Sequence, residues 1–145
     1  AAAAVTAASA ISLVWNDPRG LLLSPALVNL ALLAVFAGSF ASRETVVESF
    51  ALAHGAVRSE EVSAYCRRVT AIWCGFFGAN AGVGAWLALF GTRASWALYT
   101  GFVAYLLMGL LFAIEFVYRH WRFRRYVGLP TDPLLRRLFP PDPTK

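Results

Sequence analysis

Residues 94–118, ASWALYTGFVAYLLMGLLFAIEFVY, hold a single carboxylate, Glu115, in a run otherwise long and apolar enough to cross a bilayer. The same theme recurs on its N-terminal side. Residues 69–90 form a second such run whose only ionisable group is the Cys74 thiol, and the link between the two, Gly91-Thr92-Arg93, is short enough to dictate an antiparallel hairpin. Residues 21–41 make a third, with Pro25 near the start, where its missing N–H costs a helix least. Residues 1–14 are small and apolar and stop at the turn-forming Trp15-Asn16-Asp17-Pro18-Arg19-Gly20. They are too short to cross alone and no basic region precedes them, so they read as the tail of a longer span rather than a signal peptide.

Composition agrees: 59% of the 145 residues are apolar and 14% charged, against ~25% charged in soluble domains. Lipid must be part of the solvent. About four spans of ~20 residues use more than half the chain and leave no room for a second globular domain.

Between residues 41 and 69 the pattern changes. Val46, Val47, Phe50, Ala51 and His54 recur at helical spacing beside Glu44, Glu48 and Ser49, which predicts an amphipathic helix. Thr45 with Glu48 has the spacing of a capping box, and Gly55 suits the helix end. Ser59-Glu60-Glu61 reads as a second helix start, a hydroxyl followed by two carboxylates at the positive end of the dipole. The span of residues 69–90 therefore begins outside the bilayer and enters it near Arg67 and Arg68.

Basic residues set an expected orientation. With four spans, Arg43, Arg58, Arg67 and Arg68 share one side with Arg119, Arg122, Arg124, Arg125, Arg136, Arg137 and Lys145. Only Arg19 and Arg93 fall on the other. The positive-inside rule then places both termini in the cytoplasm, with Trp15, Trp96 and Tyr99 near the outer interface and Trp73, Tyr118 and Trp121 near the inner one.

Polar groups inside the spans are the candidate contacts. Asn80 and Asn29 need hydrogen-bond partners there, and interhelical anchoring is the plain reading of both. Gly75, Gly78, Ala79 and Gly82 form a small-residue stripe suited to helix packing. Glu115 is the stronger functional candidate, with Arg119 one turn later as its partner. Gly101, Tyr105, Met108, Phe112, Glu115 and Arg119 trace one stripe that would line a cleft, while a snorkelling carboxylate that ends the helix is the competing reading. Cys66 and Cys74, ~12 Å apart along one helix, cannot pair and carry no metal-ligand spacing. His54, His120 and Cys66 lack the further partners a zinc site needs. No metal, cofactor or catalytic residue is assigned.

Arg119-His120-Trp121-Arg122-Phe123-Arg124-Arg125-Tyr126 interleaves cations and aromatics directly after a span, which favours a membrane-surface collar over nucleic-acid binding. Beyond it, Leu134, Leu135, Leu138 and Phe139 beside Arg136 and Arg137 suggest a short interfacial helix or a docking peptide. The fold expected is all-α: an integral membrane four-helix bundle over residues 1–126, with a cytoplasmic amphipathic helix and a basic, Pro-rich tail over residues 127–145.

Several strings carry a family resemblance: Pro25-Ala26-Leu27-Val28-Asn29-Leu30, residues 44–51, Tyr65-Cys66-Arg67-Arg68-Val69-Thr70, Trp73-Cys74-Gly75-Phe76-Phe77, Tyr105-Leu106-Leu107-Met108-Gly109 and Glu115-Phe116-Val117-Tyr118-Arg119. Over residues 21–126 the chain resembles an uncharacterised family of small proteobacterial inner-membrane proteins. Thr100 and Ala81 depart from the family's Asn and Gly, and the end after Gly128 lies outside the pattern. The resemblance implies a pathway neighbourhood, since such proteins are encoded beside acyl carrier proteins, ketosynthases and acyltransferases of aryl-polyene and lipid assembly. Three readings follow. The first is an accessory or scaffold protein whose Arg67, Arg68, Arg122, Arg124 and Arg125 hold an acidic carrier protein or acyl-pathway enzymes at the membrane. The second is a carrier of a lipid or polyene intermediate that uses Asn80 and Glu115. The third is a membrane acyltransferase, ranked last because no Ser/His/Asp arrangement or phosphate loop is present. Membrane lipids are expected partners, nucleic acid is not, and oligomerisation is left open.

Overall fold

The computed structural model describes residues 19–123, so the expected span over residues 1–14, Trp15, Arg124, Arg125 and the tail lie outside the described residues. Among the described residues 88% are helical and none is in a strand. The elements are α1 (Arg19–Leu22), α2 (Ser24–Gly38) with a 3₁₀ turn at Ser39–Ala41, α3 (Val46–Ala53), α4 (Glu60–Phe90) and α5 (Arg93–Phe123). A π turn at Tyr99–Val103 interrupts α5. Three helices, Ser24–Ala41, Glu60–Phe90 and Arg93–Phe123, are long and apolar enough to cross a membrane.

The chain divides into two compact units, at Ala104 and Tyr105. In the first, Pro25 sets the start of α2. Its missing N–H leaves the Leu21 carbonyl without its usual helical donor, and the Ser24 hydroxyl supplies one at 2.7 Å. α2 then runs antiparallel to α4: Ala26 packs on Gly84, Leu33 on Gly78 and the Phe36 ring edge-on to Phe77 at 5.1 Å. The buried side of α4, Val62, Cys66, Val69, Thr70, Phe77, Asn80, Ala81, Gly84 and Ala88, advances by three or four residues and is mostly small. The larger Ile72, Val83, Trp86, Leu89 and Phe90 face outward. Small residues within and large apolar ones without is the arrangement expected where lipid, not water, surrounds the helices.

The stripe that packs therefore matches the expected one only at Gly78. Gly78 and Gly84 meet α2, whereas Gly75 and Gly82 have open space beside them. Facing α2 selects positions 77, 78 and 84, and a stripe read only from residue size has no means of knowing which side α2 occupies.

Helix ends follow local chemistry. α4 starts as expected, with Ser59 accepting from the Val62 N–H and Glu60 and Glu61 in the first turn. At Gly91 an added Cβ would lie 2.7 Å from the Leu87 carbonyl oxygen, so the chain can turn this tightly only with glycine. Thr92 and Ser95 then exchange side-chain and backbone hydrogen bonds in a capping box that starts α5.

The second unit contains the remainder of α5 from Tyr105. Tyr105, Leu106, Leu110, Phe112 and Ile114 are all exposed there.

Candidate functional site

Three polar groupings stand out against this apolar background. The first is in the hairpin of α4 and the start of α5. The Asn80 side chain, 5% exposed, accepts from the Tyr99 hydroxyl through Oδ1 at 2.7 Å and donates through Nδ2 to the Phe76 carbonyl at 3.3 Å. Two strong requirements of a buried amide are thus met. Tyr99 opens the π turn, and Thr100 within it donates its hydroxyl to the Trp96 carbonyl at 2.8 Å. Trp96 in turn donates its indole N–H to the Leu22 carbonyl at 2.9 Å, which ties the start of α5 to the break between α1 and α2. Asn29, the other amide singled out from sequence, bonds within its own helix, to the Pro25 carbonyl at 2.8 Å.

The second grouping is the cap between α2 and α4. Thr45 accepts from the Glu48 N–H at 3.4 Å, the first half of the expected capping box. The reciprocal half is replaced, because the Glu48 carboxylate accepts instead from the Ser63 hydroxyl of α4 at 2.5 Å. Glu48 is 4% exposed and Phe50 67% exposed. α3 is thus turned the other way from an ordinary amphipathic helix, with its acid inward and its largest apolar side chain outward. Gly55, at φ +86°, ends it in a Schellman arrangement, with Gly55 N–H to Leu52 and Ala56 N–H to Ala51, both at 3.0 Å. Arg58 pairs with Glu44, which also accepts from the Ser49 hydroxyl. Arg67 lies over the Phe40 ring at 5.3 Å, and both Arg67 and Arg68 are exposed.

The third is in the second unit. Arg119 Nε lies 3.4 Å from Glu115 Oε1 in the expected i,i+4 ion pair, with the carboxylate side chain 12% exposed. His120 is buried, hydrogen-bonds the Phe116 carbonyl through Nδ1 at 2.8 Å and lies against the Phe116 ring. The carbonyl can only accept, so this nitrogen carries the proton. Tyr105 is exposed, and Arg122 stands beside the Phe123 ring. Arg124 and Arg125, the other two members of the expected basic collar, lie outside the described residues.

Sequence reading found Asn80 but not its partner. From sequence Tyr99 reads only as an interfacial aromatic, and its contact with Asn80 depends on how the two helices pack beyond the turn at residues 91–93. Ser63 carried no signal of its own, being one serine among several near a helix start. Neither Cys66 nor Cys74 is in a disulfide, and among the described residues no three His, Cys, Asp or Glu side chains converge as metal ligands. No family model, curated protein or solved structure matches this chain.

Proposed function

We propose that this is a multi-pass inner-membrane accessory protein of an acyl-lipid or polyene assembly pathway, which holds an acidic cytoplasmic partner such as an acyl carrier protein at the membrane surface. In this reading the chain is a four-helix bundle with α3 and the C-terminus on the cytoplasmic side, as the distribution of basic residues favours. The pathway assignment rests on the family resemblance. The observation that carries the binding role is the exposed Arg67–Arg68 pair, standing where α4 leaves its apolar stretch, while Glu44 and Glu48 nearby are engaged with Arg58 and Ser63. Arg58 offsets the Glu44 charge and Glu48 is turned inward to Ser63, so neither acid covers the exposed arginines.

Recovery of acyl carrier protein on the full chain in nanodiscs tests this reading. Reversing Arg67, Arg68, Arg122, Arg124 and Arg125 to Glu should abolish recovery, and unchanged recovery would refute the role.

The carrier reading draws on a different observation, the Asn80–Tyr99 pair beside a π turn in an otherwise apolar hairpin. Native mass spectrometry from nanodiscs addresses it. A defined acyl species bound to the wild type and lost in Asn80→Leu supports a carrier; bulk lipid alone counts against one.

A further inference from the structure

We infer that α3 lies in the headgroup layer of the bilayer, with Phe50 and Val57 inserted among the lipids as an interfacial anchor between two spans. The inference starts from the outward face of the cap. Phe50 lies on α3, His54 is its C-cap and Val57 follows Gly55 in the link to α4, and all three are exposed, Phe50 and Val57 by about two thirds. The Phe50 and His54 rings stack at 5.7 Å with 9° between their planes. The inward face is held by Thr45 and Glu48, the carboxylate fastened to Ser63 of α4.

Helix geometry gives the depth. Residues 69–90 of α4 extend ~33 Å at 1.5 Å per residue, which matches a hydrocarbon core of ~30 Å and puts Arg67 and Arg68 at its edge. Ser63 lies four residues earlier, ~6 Å further out. The headgroup layer is ~5–7 Å thick on each side, so the Glu48–Ser63 bond, ~9 Å along the axis from Val69, holds α3 against its outer part. The connection to the other span is consistent: Val46 follows Ala41 by five residues, which reach at most ~18 Å even when fully extended.

Charge follows the same layering. Arg43, Arg67 and Arg68 are exposed at the level of lipid phosphates. Glu44 and Glu48 are neutralised or turned inward, and Glu60 and Glu61 stand ~10 Å above Arg67, clear of the anionic surface. Lipid is therefore the occupant that the exposed apolar face of α3 fits. A second copy of the chain would have to displace the lipids that fill this layer.

Photocrosslinking of the full chain in phosphatidylcholine–phosphatidylglycerol nanodiscs tests this placement. p-Benzoylphenylalanine is introduced singly in place of Phe50, of Val57, of Trp86 as the in-span reference and of Glu61 as the reference outside the layer. The expected result is a phospholipid adduct at Phe50 and Val57 several-fold above that at Glu61 and comparable with that at Trp86. Two positions, one on α3 and one beyond its end, guard against a probe that disturbs α3. Lipid adducts at Trp86 but at neither Phe50 nor Val57, or adducts at these two with a second copy of the chain, would overturn the inference.

Discussion

Asn80 and Tyr99 illustrate how a single pair can matter inside an apolar hairpin. Removing the Tyr99 hydroxyl leaves the Asn80 carbonyl oxygen without the donor it has at 2.7 Å, in surroundings that offer little water to replace it. Interhelical hydrogen bonds of this kind contribute about 1 kcal/mol, with smaller averages in measured cycles. Tyr99→Phe should lower stability by that order in a detergent unfolding titration. Combined with Asn80→Leu it should cost clearly less than the sum of the two single changes, and additive costs would mean that the pair is not coupled. Glycines offer a contrast of sign at the same scale. Gly55→Ala forces an L side chain into φ +86° and should destabilise by ~1 kcal/mol. Gly75→Ala meets nothing within 4 Å and should be neutral or slightly stabilising through helix propensity. Thermal midpoints of the two variants moving in the same direction would contradict the backbone geometry.

At the scale of elements, the contact between α2 and α4 depends on small residues meeting face to face. Gly84 opposes Ala26 with only 3.9 Å available to a methyl group, whereas Gly82, half a turn away, points into open space. Gly84→Leu should therefore wedge the helices apart and cost ~1–3 kcal/mol as overpacking does, while Gly82→Leu adds one more outward apolar side chain at little cost. Comparing the unfolding midpoints of the two variants in the same detergent checks this, and equal effects would place α2 on the wrong side of α4. The helices themselves were legible because crossing length and a near-absence of charge are local properties, as were the caps at Thr45, Ser59 and Gly55. Which side of α4 is inside was not legible, because that depends on where α2 lies. The orientation of α3 was misleading for a similar reason. Glu48 looks like a solvent-facing acid until Ser63, fifteen residues away, supplies a partner on the other side. Glu115 with Arg119 was readable because both sit on one helix one turn apart, whereas Asn80 with Tyr99 depends on how two helices pack.

The whole molecule combines long outward-facing apolar surfaces with a strongly uneven distribution of cations. If α2, α4 and α5 each cross once, the loop between α2 and α4 and the end of α5 share a side, and the short Gly91–Thr92 link lies on the other. Among the described residues, Arg43, Arg58, Arg67, Arg68, Arg119 and Arg122 then face Arg19 and Arg93 across the bilayer. Cytoplasmic retention of Lys and Arg near span ends sets orientation, and carboxylates count for little, so Glu60 and Glu61 do not offset the bias. Single cysteines placed at Ser59 and at Ala94, in a background with Cys66 and Cys74 replaced, should report this with a membrane-impermeant maleimide. Ser59→Cys should react only after the cells are opened, and Ala94→Cys in intact cells. The opposite pattern would invert the topology and remove the arginines from any cytoplasmic partner. Labelling of both sites in intact cells would mean that α4 does not cross. The three-crossing arrangement would then fail with it, since the 31 residues of α4 are the longest uninterrupted helix among the described residues.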